Sequence, residues 1–136
     1  MVQRKEGLHT SANRPGTFPS NIGIFVTDAG EDWAEAQLQA GAESLNLGGI
    51  VHGGCILTIM DQVTGYLANS GNVPCVTLSC QAKFLRPTQP GLVTARAEVL
   101  HRGEDQVLVQ VQVTDQTGEV TAEGTYIYQR TKIVYT

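Results

Sequence analysis

The stretch Asn46-Leu47-Gly48-Gly49-Ile50-Val51-His52-Gly53-Gly54-Cys55, followed by Asp61, concentrates the residue types that can act on an acyl group. A glycine pair where a helix begins lets another molecule approach the backbone closely, and the N–H groups of a first helical turn have no partner within the helix. The helix dipole adds positive potential at the same end. Together these meet the requirements of an oxyanion hole: a thioester or ester carbonyl set against the Gly53 N–H would develop its negative charge where the field already suits it. Gly54 belongs to the same approach surface. Asp61 supplies a carboxylate that can serve as general base or nucleophile.

Spacing constrains this chemistry. Asp61 stands eight residues beyond Gly53, roughly 12 Å along a helix, so the two cannot flank one carbonyl carbon within a single chain. A two-fold dimer with antiparallel helices removes the difficulty, because Asp61 of each subunit then faces Gly53 of the other. Each residue also has an ordinary reading. Gly53-Gly54 can be a tight turn, Asp61 a solvated helix residue, Asn46 a turn former, His52 a structural histidine and Thr77 a plain strand former, with Lys83 and Arg86 as solvated charges.

The elements that would position these groups follow from periodicity. Residues 1–20, with Pro15 and Pro19 among Gly, Ser, Thr and Asn, read as a flexible N-terminal arm, and 21–136 as one domain. Alternation over 22–26 and 33–38, separated by Asp28-Ala29-Gly30-Glu31, reads as a hairpin, and 41–49 as a loop. Ile56, Ile59, Met60, Val63 and Leu67 then repeat with helical period, predicting a helix from about Gly53 to Ala68 that Ser70-Gly71-Asn72 and Pro74 stop. Beyond Pro74 the period becomes 2. Val76, Leu78, Cys80, Ala82 and Phe84 form one apolar row, with Thr77, Ser79, Gln81 and Lys83 on the polar face. Three more strands follow near 93–99, 107–113 and 120–128, joined by hairpin turns. The class is therefore α+β: an antiparallel sheet of five to six strands whose apolar face one central helix covers.

Composition narrows the function classes. The chain has 136 residues, 41% of them apolar, and a net charge of −4, which suits one globular domain and argues against general binding to phosphate backbones or anionic membranes. No apolar run reaches the length of a bilayer span, and no signal-peptide pattern follows Met1, so the expected location is the cytoplasm. Cys55, Cys75 and Cys80 are too few for a disulfide scaffold, and Cys75 and Cys80 lack the further Cys/His pair of a zinc site. We expect reduced thiols and no metal.

Asn46-x-x-Gly-x-x-His-Gly-Gly followed by Asp61, with Phe84-Leu85-Arg86-Pro87-x-x-Pro90-Gly91 in the later β region, resembles the hotdog-fold acyl-CoA thioesterases of the phenylacetate-pathway (PaaI-like) type. The resemblance covers about residues 20–130. It implies a hotdog fold, with the sheet wrapped around its helix, and roles residue by residue. Asn46 and His52 line the thioester pocket, Gly53 provides the oxyanion-hole amide, Asp61 attacks or activates water, and Thr77 bonds the water or the carboxylate. It also implies homodimers with sites shared between subunits, commonly paired into homotetramers, and no cofactor. The proline-containing arm departs from the helix that many relatives carry there.

Three function classes follow: hydrolysis of an aryl- or medium-chain acyl-CoA, hydration or dehydration of an acyl thioester, and acyl-CoA binding without catalysis. Hotdog hydratases commonly place Phe-Pro-Gly after the histidine, where this chain has Gly53-Gly54-Cys55. Ile59, Val63, Tyr66 and Leu67 are the expected pocket walls, and Lys83 and Arg86 the expected contacts for the CoA phosphates.

Overall fold

The computed structural model describes residues 10–71 and 73–132. The start of the arm and Asn72 of the helix-stopping sequence lie outside the described residues. Two α-helices and six strands follow in chain order: α1 (Phe18–Asn21), β1 (Ile24–Ala29), β2 (Trp33–Ala40), α2 (Gly53–Asn69), β3 (Cys75–Phe84), β4 (Gly91–Arg102), β5 (Gln106–Thr114) and β6 (Val120–Arg130). All six strands join one antiparallel sheet in the order β1-β2-β4-β5-β6-β3. The strand that follows the helix therefore ends at the far edge, paired among the described residues with the last strand.

The sheet curves around α2, which packs against every strand. Close approach is possible because the facing strands carry small side chains: Ala34 pairs with Ala97 and Ala36 with Ala95, all fully buried. Into this trough α2 lowers Ile56, Ile59, Met60, Val63 and Leu67, none more than 1% exposed, each burial contributing about 1.5–3 kcal/mol. The valines of β5, at 107, 109, 111 and 113, complete the floor. Among the described residues no helix is long and apolar enough to cross a membrane.

The described part of the arm is tied to the sheet. Asn13 donates through Nδ2 to the Val26 carbonyl at 2.8 Å and accepts from the Val26 N–H at 2.8 Å, while Gln62 of α2 donates to the Ala12 carbonyl. At the other end of α2, the Leu67 carbonyl accepts from the N–H and hydroxyl of Ser70, and the terminal carbonyls gain a further donor from β4. Arg102 donates to the Leu67 carbonyl at 3.1 Å and the Ala68 carbonyl at 3.3 Å, a favourable place for a cation. Arg102→Ala should cost about 1–2 kcal/mol and lower Tm by several degrees in a thermal melt. An unchanged melt would mean that Ser70 and water satisfy those carbonyls equally well.

β3 departs from simple alternation. Thr77 pairs with Tyr128 and Ser79 with Ile127, so Leu78 is the extra residue of a β-bulge. The bulge brings Thr77 onto the face that Cys80, Ala82 and Phe84 share, the one turned to α2, and leaves Ser79, Gln81 and Lys83 on the outer face. The expected grouping of Thr77 with the polar row is thus corrected: one inserted residue reverses its side.

Candidate active site

The loop before α2 is built around Asn46. Its Oδ1 accepts from the Gly48 N–H at 2.8 Å and the Ile50 N–H at 3.4 Å, and its own N–H donates to the Ile50 carbonyl. Gly49 takes φ +80, a conformation costly for any side chain. Backbone bonds from Val51 to Thr88 and from His52 to Ser44 clamp the loop beneath the helix entrance. Asn46 therefore shapes this loop with its oxygen, and its Nδ2 stays on the exposed side.

His52 is the N-cap of α2, and its Nδ1 accepts from the Gly54 N–H at 2.8 Å. In the neutral ring this bond places the proton on Nε2, turned outward as a donor. Gly54 is thereby occupied, and a Cβ there would stand 3.0 Å from Nδ1 and press on the cap. Among the described residues, the Gly53 N–H meets no acceptor. A Cβ on Gly53 would make only ordinary contact with the Phe84 ring, at 3.8 Å, so packing within the chain does not demand glycine there.

Gly53, Leu57, Asp61 and Gly65 recur every fourth residue and form the stripe of α2 that overlooks β6 and β3. Asp61 is exposed at its centre. Its Oδ1 accepts from Thr77 Oγ1 at 2.8 Å and from Tyr128 Oη at 3.2 Å, and the Tyr128 Oη also lies 3.0 Å from the Asp61 carbonyl. Thr64 Oγ1 is 2.7 Å from the same phenol. Tyr126 donates to the Leu57 carbonyl at 3.3 Å. Burial, reinforced by the Asp61 charge, pushes the Tyr128 phenol well above its ordinary range, and burial does the same to Tyr126. Both remain protonated donors. Sequence reasoning missed Tyr128, Thr64 and Tyr126; the signal was two tyrosines in an apolar strand row, since a buried phenol needs a partner for its O–H.

The other expected site residues fall elsewhere. Ile59, Val63 and Leu67 do not line an open pocket: they are fully buried beneath the sheet, and Tyr66 is half-buried. The stripe that carries Asp61 is separate from the wide apolar stripe that the core consumes. Leu57, Cys80 and Phe84 occupy the open side instead. Lys83 lies on the opposite face of the sheet, across from Glu123, in an open polar groove of about 260 Å³ shared with Gln81, Gln110 and Gln112. Arg86 pairs with Glu119 in an exposed ion pair. Among the described residues no cluster of three or more His, Cys, Asp or Glu could hold a metal ion, and the three cysteines are free.

Residues 48–122 match the model of the thioesterase superfamily. A protein of Mycobacterium tuberculosis named for an expected esterase activity is 35% identical over 115 residues, covering 79% of this chain and 81% of the relative. The 1,4-dihydroxy-2-naphthoyl-CoA hydrolase of Escherichia coli is 27% identical over 108 residues, covering 77% and 79%. Among solved structures, the PaaI protein from the phenylacetic acid degradation operon of E. coli superposes with a TM-score of 0.82 at 26% identity, covering 87% of this chain and 86% of that one. A family match over more than half the chain, on a six-stranded sheet wrapped around one main helix, decides its membership: this chain belongs to the thioesterase superfamily and is a thioester hydrolase of the PaaI-like hotdog type.

Proposed function

We propose that the protein hydrolyses an aryl- or medium-chain acyl-CoA to the free acid and CoA, in a homodimer that further pairs into a tetramer, at sites shared between subunits. The observation that carries this reading is the entrance of α2, where His52 takes the Gly54 N–H and the Gly53 N–H has no acceptor among the described residues, at the positive end of a 17-residue helix. A thioester carbonyl oxygen seated there gains a donor that strengthens as the tetrahedral oxyanion forms. His52 Nε2–H and Asn46 Nδ2 flank the same opening and orient the thioester. Asp61 and Thr77 come from the other subunit. Asp61 takes a proton from water as the water oxygen bonds the carbonyl carbon; collapse of the oxyanion then breaks the C–S bond, and CoA leaves as the thiol with that proton.

Two features support the dimer. The roughly 12 Å between Gly53 and Asp61 along α2 separates the two halves of the chemistry within one chain. β3 is an edge strand with Leu78 54% and Phe84 53% exposed, a surface that needs cover in water. Antiparallel pairing of β3 with β3 of a second copy supplies it and turns each Asp61 toward the partner's helix entrance.

The CoA nucleotide is too large for so small a domain to bury and would lie at the surface. Arg86 can meet its phosphates at little cost, since an exposed ion pair such as Arg86–Glu119 contributes only about 0–1 kcal/mol; Lys83 is the second candidate, reaching from the outer face. Following thiol release from aryl, short and long acyl-CoA substrates tests the reading. Aryl or medium-chain thioesters should be hydrolysed fastest, and Arg86→Ala should raise KM for the CoA thioester but not for its truncated pantetheine analogue. Loss of enoyl absorbance without thiol release would assign a hydratase instead, and binding with neither would leave a non-catalytic module.

A further inference from the structure

Resting on the assignment of Asp61 as the acting carboxylate, we infer that Tyr128, backed by Thr64, is a positioning residue that pins Oδ1 of Asp61, so that Oδ2 alone faces the reacting carbonyl. The two carboxylate oxygens are not equivalent. Oδ1 receives Thr77 Oγ1 at 2.8 Å and Tyr128 Oη at 3.2 Å, whereas Oδ2 has no hydrogen-bond partner among the described residues. A carboxylate held at one oxygen by two donors from adjacent strands cannot rotate freely. Its second oxygen is presented in a constant direction.

The phenol is itself held. Thr64 Oγ1 lies 2.7 Å from Tyr128 Oη and 2.7 Å from the Met60 carbonyl one turn back. Both side chains are buried, Thr64 at 0% and Tyr128 at 2% exposure. The phenolic proton has two acceptors on Asp61, the backbone carbonyl at 3.0 Å and Oδ1 at 3.2 Å; with the Thr64 proton directed to Met60 or to the phenol, the carboxylate oxygen draws it more strongly, because a bond to a charged acceptor is the stronger one. Gly65 makes room, since a Cβ there would come within 3.3 Å of the Tyr128 oxygen. Buried hydroxyls ending on an exposed carboxylate hold one rotamer at the site where chemistry needs it.

The charged and titratable groups around Asp61 are few. α2 carries no other charged side chain, β6 contributes Tyr126 and Tyr128, β3 contributes Cys80, and the arm joined to α2 through Gln62 carries Arg14. Removing the phenolic donor therefore acts on Asp61 directly.

Tyr128→Phe keeps the ring and deletes one oxygen. In the full-length protein, three-bond couplings across the Cα–Cβ bond of Asp61 should change from those of one fixed rotamer to those of an averaged side chain. The kcat should fall about 5- to 30-fold with KM nearly unchanged. Thr64→Val should act in the same direction but more weakly, and should add nothing to Tyr128→Phe. If Tyr128→Phe does not fold, Thr64→Val decides alone by the same couplings. A folded variant with a fixed Asp61 rotamer and wild-type kcat overturns the positioning role. Full turnover by Asp61→Asn would instead overturn the assignment of Asp61, and the couplings separate the two failures because they do not depend on turnover.

Discussion

Asp61→Asn is expected to lower kcat by about 100-fold or more, the range that loss of a general base produces, with KM within a few-fold of wild type. The geometry makes this a clean substitution. The asparagine oxygen can take the place of Oδ1 and keep the donors from Thr77 and Tyr128, which leaves the amide where Oδ2 stood, with no lone pair able to accept a proton. The side chain is exposed, so the core and the melting temperature should not move. Steady-state thiol release and a thermal melt together check the outcome, and near-wild-type turnover would remove Asp61 from the chemistry. Single turnover in heavy-oxygen water then separates its two roles. A base leaves the Asp61 side chain unlabelled, whereas attack by the carboxylate carries label into it.

The second large effect is restoration. Gly53→Pro deletes the one amide proposed to hold the oxyanion, and α2 should tolerate it: position 53 is the first helical residue, where proline costs least, and His52 before it already has φ −61 and ψ 136, the extended conformation that a following proline requires. Homodimers of Gly53→Pro and homodimers of Asp61→Asn should each be nearly inactive. Chains refolded together should recover about a quarter of wild-type activity, because half of the dimers are mixed and each mixed dimer joins one intact Gly53 to one intact Asp61. Verified mixed dimers that stay inactive would place both groups in a single subunit's site.

Much of this molecule is legible in its residues, and the parts that are not have physical reasons. The helix and four later strands announce themselves because burial on one face imposes a period, and the valines of β5 leave no alternative to a strand. Period says which face is apolar but not what covers it. Ile59, Val63 and Leu67 therefore read equally well as pocket walls or core, and the sheet claims them. Thr77 reads as polar-face because alternation assumes an unbroken register, and nothing local to Leu78 signals the bulge. Tyr128 was hidden for the opposite reason: its ring fits the apolar row so well that its hydroxyl went unaccounted for. The arm, polar and proline-rich, gave no sign that Asn13 would complete a hydrogen-bonded pair with Val26. Asn46, His52, Gly53 and Asp61 each have an ordinary reading when taken singly, and it is their joint pattern, through its resemblance to a known family, that marks them as site candidates.

On the ribosome, α2 and β3 are made long before β6, the strand that flanks β3 among the described residues of its own chain. Synthesis of the stretch from Phe84 to Tyr128 takes roughly several seconds at ~5–20 residues per second. Until β6 is made, the β3 sequence lacks the strand it pairs with among the described residues, and apolar Leu78 and Phe84 have no finished sheet to join, a condition that favours chaperones or wrong neighbours. When β6 arrives it closes the sheet and delivers the phenol that braces Asp61, across 67 positions of chain. The second donor to Oδ1 is thus supplied last, and a chain that ends before β6 has Thr77 but lacks the phenol to hold the Asp61 carboxylate.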